Sequence, residues 1–454
     1  MSIDPDAVHR TAKILLDADE EDSIAAAEAE LGRYVLQIDV GPGISGNASR
    51  QALVLTAVNA GARAFLGGVR VRLAEDSVVE IGWDVGRPLS EAVQRHGGVI
   101  VTTLTEDAPT VCVGEATPGV RGGPLLRATF DGWSAGVVEG AQSVLAERSW
   151  FVPAGVAAGG IAVAEAFQAR RGDPRAGRRR QGISLWRPEL DWEGADAVGP
   201  QDCSIAPSRL WLIGLGHLGQ GYLWSLGLLP YADPEEVTLL LQDDDRITEA
   251  NQSTGLLTPT GWGRRRKVRA LAEILEHRGF TTALSERRFQ PGQGPLGDEP
   301  TLALVGVDNP ETRRYLSDAG FEAVIDAGLG AGPAHYLDLQ THTFPADRRS
   351  DQIPAWRDRR LATGAHLMAL PAYQRMAAES GDRCGTLEVA GRAVAAAFVG
   401  ATAGALVIAE ATRYIIAGPR YGVIDASLSD LSHTQAIEAP NPPPPGNPGF
   451  ARLR

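Results

Sequence analysis

Three glycines in the run Gly214-Leu215-Gly216-His217-Leu218-Gly219 are spaced as G-x-G-x-x-G. They follow the apolar stretch RLWLI and precede QGYLWSLGLL, a helical pattern, which is the context this fingerprint requires. Glycine lets the backbone turn tightly and approach phosphate, and the following helix offers free amides and the positive end of its dipole. Alone, this predicts a nucleotide and no particular chemistry. A second apolar run, VTLLLQ, ends at Asp243, about twenty residues past the loop, where a carboxylate hydrogen-bonds ribose hydroxyls. Asn251 follows, and then Lys267 opens the amphipathic stretch KVRALAEILE. A third run, LALVG, delivers Asp308 and Asn309 at its end. A lysine and a carboxylate converging on phosphates suit ATP better than hydride transfer. The ammonium neutralises phosphate charge and the carboxylate holds Mg2+. Lys267 draws notice for another reason: of 43 basic residues only it and Lys13 are lysine. A nucleotide bias in the genome accounts for the arginine excess, and lysine kept against it marks the position.

The elements that must position these residues read as two α/β units. Residues 1–170 form the first and 206–436 the second. Residues 171–205, opening with an arginine-rich polar stretch, read as a linker, and 437–454 as a disordered proline-rich tail. Each unit opens with strand, glycine loop and helix: VLQIDV-GPGISG-NASRQALVLTAV, then RLWLI-GLGHLG-QGYLWSLGLL. Each then has a strand leading to glycine, TVCVG at 110–114 and TLALVG at 301–306. The apolar helices GVAAGGIAVAEA at 155–166 and GATAGALVIAEA at 400–411 share a register. Three correspondences in one order indicate duplication. The predicted fold is therefore α/β, two Rossmann-like doubly wound domains in tandem, the first degenerate. Degeneracy is read from the chemistry. The segment ARAFLGGVRVRLAED brings no carboxylate to its strand tip, and Glu115-Ala116 stands where the second copy has Val307-Asp308.

Composition narrows the classes. A chain of 454 residues with 44% hydrophobic content holds two cored domains. A net charge of -13 argues against a nucleic-acid surface and against anionic membrane. Three cysteines fit neither a disulfide framework nor a zinc site, so no zinc is expected. The opening MSIDPDAVHR lacks the basic-then-apolar pattern of a secretory signal, and the expectation is cytoplasmic. Ala393 to Ala409, rich in alanine and glycine, suits a buried helix better than a membrane span.

In order and spacing, segment 210–330 resembles the adenylation domain of the ubiquitin-activating enzyme superfamily, which includes the sulfur-carrier activators of thiamine and molybdopterin synthesis. The resemblance rests on the glycine loop, on Asp243-Asp244-Asp245-Arg246-Ile247 leading to Asn251, on Lys267, and on GVDNPETRRYL at 306–316. It implies ATP and Mg2+ as cofactors. Gly214, Gly216, Gly219, Asp243, Asn251 and Lys267 would contact ATP, and Asp308 the metal. The family's N-L-x-R-Q is here Asn251-Gln252-Ser253-Thr254-Gly255, so an arginine is missing, with Arg246, Arg264, Arg265 and Arg266 as stand-ins. The family also brings an arginine from the partner subunit. Here the first copy would supply it, through Arg50 in GNASRQ, with Arg10 and Arg33 as other candidates. Thioester-forming members use a cysteine in the crossover before the last helix, and Cys384, in SGDRCGTLEVAGRAV, lies in such a segment, in a loop beside Arg383.

A degenerate copy fused to an active one resembles the inactive and active halves of ubiquitin-type activating enzymes. The expected activity is adenylation of the C-terminal carboxylate of a ubiquitin-like protein ending in glycine, then transfer to a thiol and to a conjugating enzyme. One alternative is a sulfur-carrier protein adenylyltransferase. Others are an NAD-dependent oxidoreductase, with His217 as its imidazole, or a scaffold without catalysis. The internal pairing either replaces a homodimer or is repeated within one.

Overall fold

The computed structural model describes residues 4–116, 123–140, 142, 144–259, 261–357, 364–439 and 449–454. Helices α1 (Ala12–Asp17) and α2 (Ile24–Leu31) lead into β1 (Leu36–Val40), α3 (Ala48–Ala64), β2 (Val69–Leu73) and α4 (Leu89–Arg95). Strands β3 (Gly98–Ile100), β4 (Thr110–Val113), β5 (Leu125–Asp131) and β6 (Ser134–Glu139) come next. Helix α5 (Val152–Arg170) and strand β7 (Gln181–Ser184) complete the first unit. Its sheet has the order β3-β2-β1-β4-β5-β6-β7, parallel through β5 and antiparallel thereafter.

After β8 (Ile205–Pro207), the second unit runs β9 (Arg209–Ile213), α6 (His217–Leu228), β10 (Thr238–Gln242), α7 (Lys267–His277) and β11 (Thr281–Ser285). It continues through β12 (Leu302–Val305), α8 (Pro310–Arg313), β13 (Ala323–Leu329) and β14 (Asp338–Phe344). Helices α9 (Pro354–Arg357), α10 (Pro371–Ser380) and α11 (Arg383–Gly391) then precede the last long one, α12 (Ala397–Ile415). Strands β15 (Tyr421–Ser427) and β16 (Gln435–Glu438) close the sheet, and β17 (Phe450–Arg452) ends the chain. The order is β11-β10-β9-β12-β13-β14-β15-β16, again parallel at first and antiparallel from β14. The second sheet repeats the first, with one strand added. Strands such as LQIDV are buried at every residue because helices cover both faces of a parallel sheet.

Helices α3, α5, α6 and α12 pack together between the sheets. Their approach depends on glycine at equivalent points. A methyl group at Gly155 of α5 would lie 2.0 Å from the Ser49 carbonyl oxygen of α3, and one at Gly221 of α6 would lie 2.2 Å from the Gly400 carbonyl of α12. Gly155 and Gly400 hold the same place in the two aligned helix sequences, so the duplication extends to packing. Equivalent buried glutamates tie each long helix to the strand after it. Glu165 accepts from Gln181 of β7, and Glu410 from the Tyr421 amide of β15.

Two sequence expectations change. Gln181–Ser184, assigned to the linker, is the edge strand of the first sheet, too short for its pattern to show. Phe450–Arg452, assigned to the disordered tail, pairs with Ile205–Pro207, while the prolines at 440–448 lie outside the described residues. Ala397–Ile415 is a buried helix, as expected of that stretch. Among the described residues, the helix long and apolar enough to cross a membrane is instead Val152–Arg170, and 94% of that apolar window is buried inside the fold.

Candidate active site

The loop Gly214–Gly219 emerges between β9 and its neighbour β12, where strand order reverses and ligands of such sheets bind. Gly214 has φ 85°, and a methyl group there would lie 3.0 Å from the Gly306 carbonyl. One on Gly219 would lie 2.1 Å from the Gly214 carbonyl oxygen, so this glycine lets α6 close on the loop. At Gly216, by contrast, a side chain would meet nothing within 4 Å. The first two are demanded by the fold. Gly216 faces open space at a helix N-terminus, where a phosphate would lie.

Asp243 accepts the Leu215 amide at 2.7 Å and the Asp245 amide at 2.7 Å, which fixes its carboxylate against the loop. Burial raises its pKa, and the Lys267 ammonium pulls the other way. Lys267 opens α7, with Nζ 2.8 Å from Asp245 and 4.0 Å from Asp243. Asn251 lies in the 3-10 turn Glu249–Ser253, and its side-chain oxygen accepts from the Thr248 amide at 2.9 Å. Asp308 follows β12 and is exposed. The carboxylates of Asp243, Asp244 and Asp245 bring oxygens within 4.8 Å of one another, the hard donors that Mg2+ prefers.

The first glycine loop is built alike, and more of its amides are taken by the chain. The Gly43 amide donates to Glu75 at 2.9 Å, Ile44 to the same oxygen at 3.3 Å, and Gly46 to Glu80 at 3.0 Å. Arg50 donates to Glu147 at 2.6 Å and to the Gly43 carbonyl at 2.7 Å. Glu147 is buried at φ 53°, a left-handed conformation uncommon for glutamate. A methyl group on Gly41 would lie 2.3 Å from the Ala116 nitrogen. Carboxylates of the chain thus take the donors that a phosphate would need.

Arg50, expected to reach the second loop, lies at the first and pairs there with Glu147. Arg33 pairs with Glu30 on the surface. Arg10 does cross. Its amide donates to Ser253 Oγ at 3.1 Å, beside Asn251, and its Nη1 is buried without a hydrogen-bond partner among the described residues. Burial lowers its pKa, as does nearby Arg392. Arg246 donates to the Arg264 carbonyl, Arg265 pairs with Glu273, and Arg266 binds the Asp244 carbonyl. A concavity of about 980 Å3 is lined from both halves, by Asn59 and Trp83 of the first and by Ser253, Leu256 and Trp262 of the second.

Cys112 and Cys203 are buried, and burial pushes both thiols up to about 12. Cys384 is exposed. It stands not in a loop but in the first turn of α11, capped by Asp382, which accepts the Gly385 amide at 2.8 Å. His217 packs against Gly400, and burial lowers its pKa to about 4. Its Nε2 is buried without a hydrogen-bond partner among the described residues.

The family model for the BilD N-terminal domain matches residues 35–185, and that for the BilD C-terminal domain matches 206–418. The bacterial E1-like protein BilD of Collimonas sp. is 37% identical over 435 residues, covering 95% of this chain and 93% of its own length. The chain belongs to the BilD family of bacterial E1-like proteins. Among solved structures it is similar to E. coli MccB, at 13% identity over 69% of this chain and 92% of that one, with a TM-score of 0.33. It is also similar to PaaA, at 15% identity over 51% and 64%, with a TM-score of 0.32. Likenesses this slight decide nothing about chemistry. The N-terminal BilD model spans the first sheet, and the C-terminal one runs from β9 to the end of α12, short of β15 and β16. The expectation that no carboxylate stands at the strand tip of the first copy is overturned by Glu75, just past β2, while Glu80 and Glu147 reach Gly46 and Arg50 from farther along the chain.

Proposed function

We propose that this BilD-family chain adenylates the C-terminal carboxylate of a small ubiquitin-like protein ending in glycine, at Gly214–Gly219. The observation that carries the reading is the contrast at the middle glycine of each loop: a methyl group on Gly216 would meet nothing within 4 Å, whereas one on Gly43 would lie 2.8 Å from Arg50 Nη1, and the Gly43 amide is taken by Glu75. The second half is the active one and the first its partner.

ATP lies with its ribose hydroxyls on Asp243 and its phosphates at the α6 N-terminus. A carboxylate oxygen of the carrier attacks the α-phosphorus, the bond to the bridging oxygen breaks, and pyrophosphate leaves. Lys267 trades Asp245 for phosphate, and Asn251 contacts the nucleotide from its turn. Arg10 enters from the N-terminal segment to meet the phosphate charge. Mg2+, held at Asp308, would neutralise phosphate negative charge. Most of the rate comes from placement and fixed charge. The Cys384 thiolate then attacks the acyl carbonyl, AMP leaves, and a thioester stands ready for a conjugating enzyme.

Small glycine-tailed proteins should stimulate ATP–pyrophosphate exchange, and Lys267→Ala should abolish it. NADH binding without exchange from any candidate carrier would sink the reading.

A further inference from the structure

Lys13 has no part in the chemistry above, yet it is one of only two lysines in the chain. Its side chain is fully buried, and Nζ donates to both oxygens of Asp17 at 2.8 and 2.6 Å and to the Ala390 carbonyl at 3.3 Å. Tyr373 donates its hydroxyl to the same carboxylate and places its ring 5.6 Å from the ammonium. Groups from α1, α10 and α11 thus meet in one dry knot. Its apolar surroundings are a small cluster of Val8, Tyr373, Val389 and Ala390, separate from the main core. The α10–α11 hairpin, which carries Cys384, therefore owes much of its seat to α1. A buried ion pair is weak support for stability and is better understood where it specifies an arrangement.

The same N-terminal segment is fastened to the nucleotide side. The Ala250 amide donates to the Asp6 carbonyl at 2.8 Å, and the Arg10 amide to Ser253 Oγ at 3.1 Å, both in the turn that holds Asn251. Thr11 Oγ1 donates to the Ala395 carbonyl at 3.1 Å, just before α12, whose Gly400 abuts His217 of the glycine loop. Residues 6–17 form a strap with the nucleotide turn at one end and the Cys384 hairpin at the other.

We propose that the Lys13–Asp17–Tyr373 knot couples the nucleotide site to the Cys384 hairpin, so that a bound nucleotide, by steadying the strap, seats the hairpin. The proposal rests on the nucleotide reading of Gly214–Gly219. The three are positioning residues, and none touches nucleotide. Such coupling is reciprocal, so freeing the hairpin removes the response at both ends.

Hydrogen exchange read by mass spectrometry tests it on the full chain, with and without a non-hydrolysable ATP analogue and Mg2+. In the parent protein, exchange of residues 371–391 is expected to slow by about fivefold or more on adding the analogue. In Asp17→Asn and in Tyr373→Phe the analogue should bind within about twofold of the parent affinity, while the hairpin exchanges fast and no longer responds. A hairpin that slows in both variants as in the parent overturns the coupling, as does a parent hairpin that ignores nucleotide. Exchange rising equally across 209–305 would reduce the knot to general support of the fold. An analogue that fails to bind the parent brings down the nucleotide reading and the coupling with it. An acyl adduct on a residue other than Cys384 removes the acceptor but leaves the exchange result standing.

Discussion

Lys267 must stay a compact point charge, because it sits between Asp243 and Asp245 and has to exchange one of them for phosphate. A guanidinium is wider, planar and already matched to carboxylates. Lys267→Arg should therefore lower exchange by roughly a hundredfold with the fold intact, and a variant as fast as the parent would remove Lys267 from the site. The arginines divide more sharply. Arg10→Ala should slow exchange by about tenfold or more and barely change stability. Arg50→Ala should leave the rate alone but strand Glu147, costing about 3 kcal/mol in urea unfolding. Equal rates in the two variants would undo the assignment of Arg10. Asp326 adds a pH dependence. It is fully buried on β13 with Arg313 Nε at 3.2 Å, and burial raises its pKa to about 7. A carboxyl whose folded pKa lies above its unfolded value of about 4 stabilises below that value and loses the effect as pH rises through 7. Between pH 4 and 7 the parent should thus lose up to about 4 kcal/mol relative to Asp326→Asn. Urea midpoints at the two ends check the sign, and a parent that gains on the variant contradicts it.

The glycine loop shows where an element's needs and a ligand's separate. Gly219 is required by the closure of α6 on Gly214, and Gly216 only by what comes to rest outside. Gly219→Ala should cost a few kcal/mol of stability and unfold at clearly lower temperature. Gly216→Ala should keep its melting temperature and lose affinity for ATP, read by calorimetry. Full affinity in Gly216→Ala would mean that phosphate lies elsewhere. This loop, Asp243 and Lys267 were legible because strand, turn and helix patterns set their positions locally. Other features depend on distant parts of the chain. Arg50 has the right neighbours in sequence, and only the return of Glu147 shows that it is occupied. Arg10 looks like any polar terminus until its strand of chain lies against Ser253. Gln181–Ser184 carries four residues of pattern, too few to distinguish a strand from a linker. Cys384 sits among glycines and charges that suggest a loop, but the Asp382 cap starts a helix there.

At the scale of the whole molecule, the two sheets are held by helices that neither half can leave uncovered. Helix α5 of the first half packs on α12 of the second, and a methyl group on Gly160 would lie 2.4 Å from Thr402 Oγ1. Trp224 of the second half donates to Thr56 of the first at 2.9 Å, and Asn59 donates to the Leu256 carbonyl at 3.0 Å. The exchange is mutual, since α1 from the start of the chain seats the hairpin of the second unit. Cutting the chain between β7 and β8 would leave α5 and α12 each with a wide apolar face in water, well beyond the few hundred Å2 a monomer carries. Segments 1–204 and 205–454 expressed alone should therefore aggregate, and expressed together they should co-purify and regain ATP binding. In the intact chain, heating should give one cooperative transition rather than two, because melting either half strips the other's helices. Calorimetry separates the outcomes: two resolved peaks, or a soluble 205–454 that binds ATP unaided, would show that the first half is an appendage and not a structural partner.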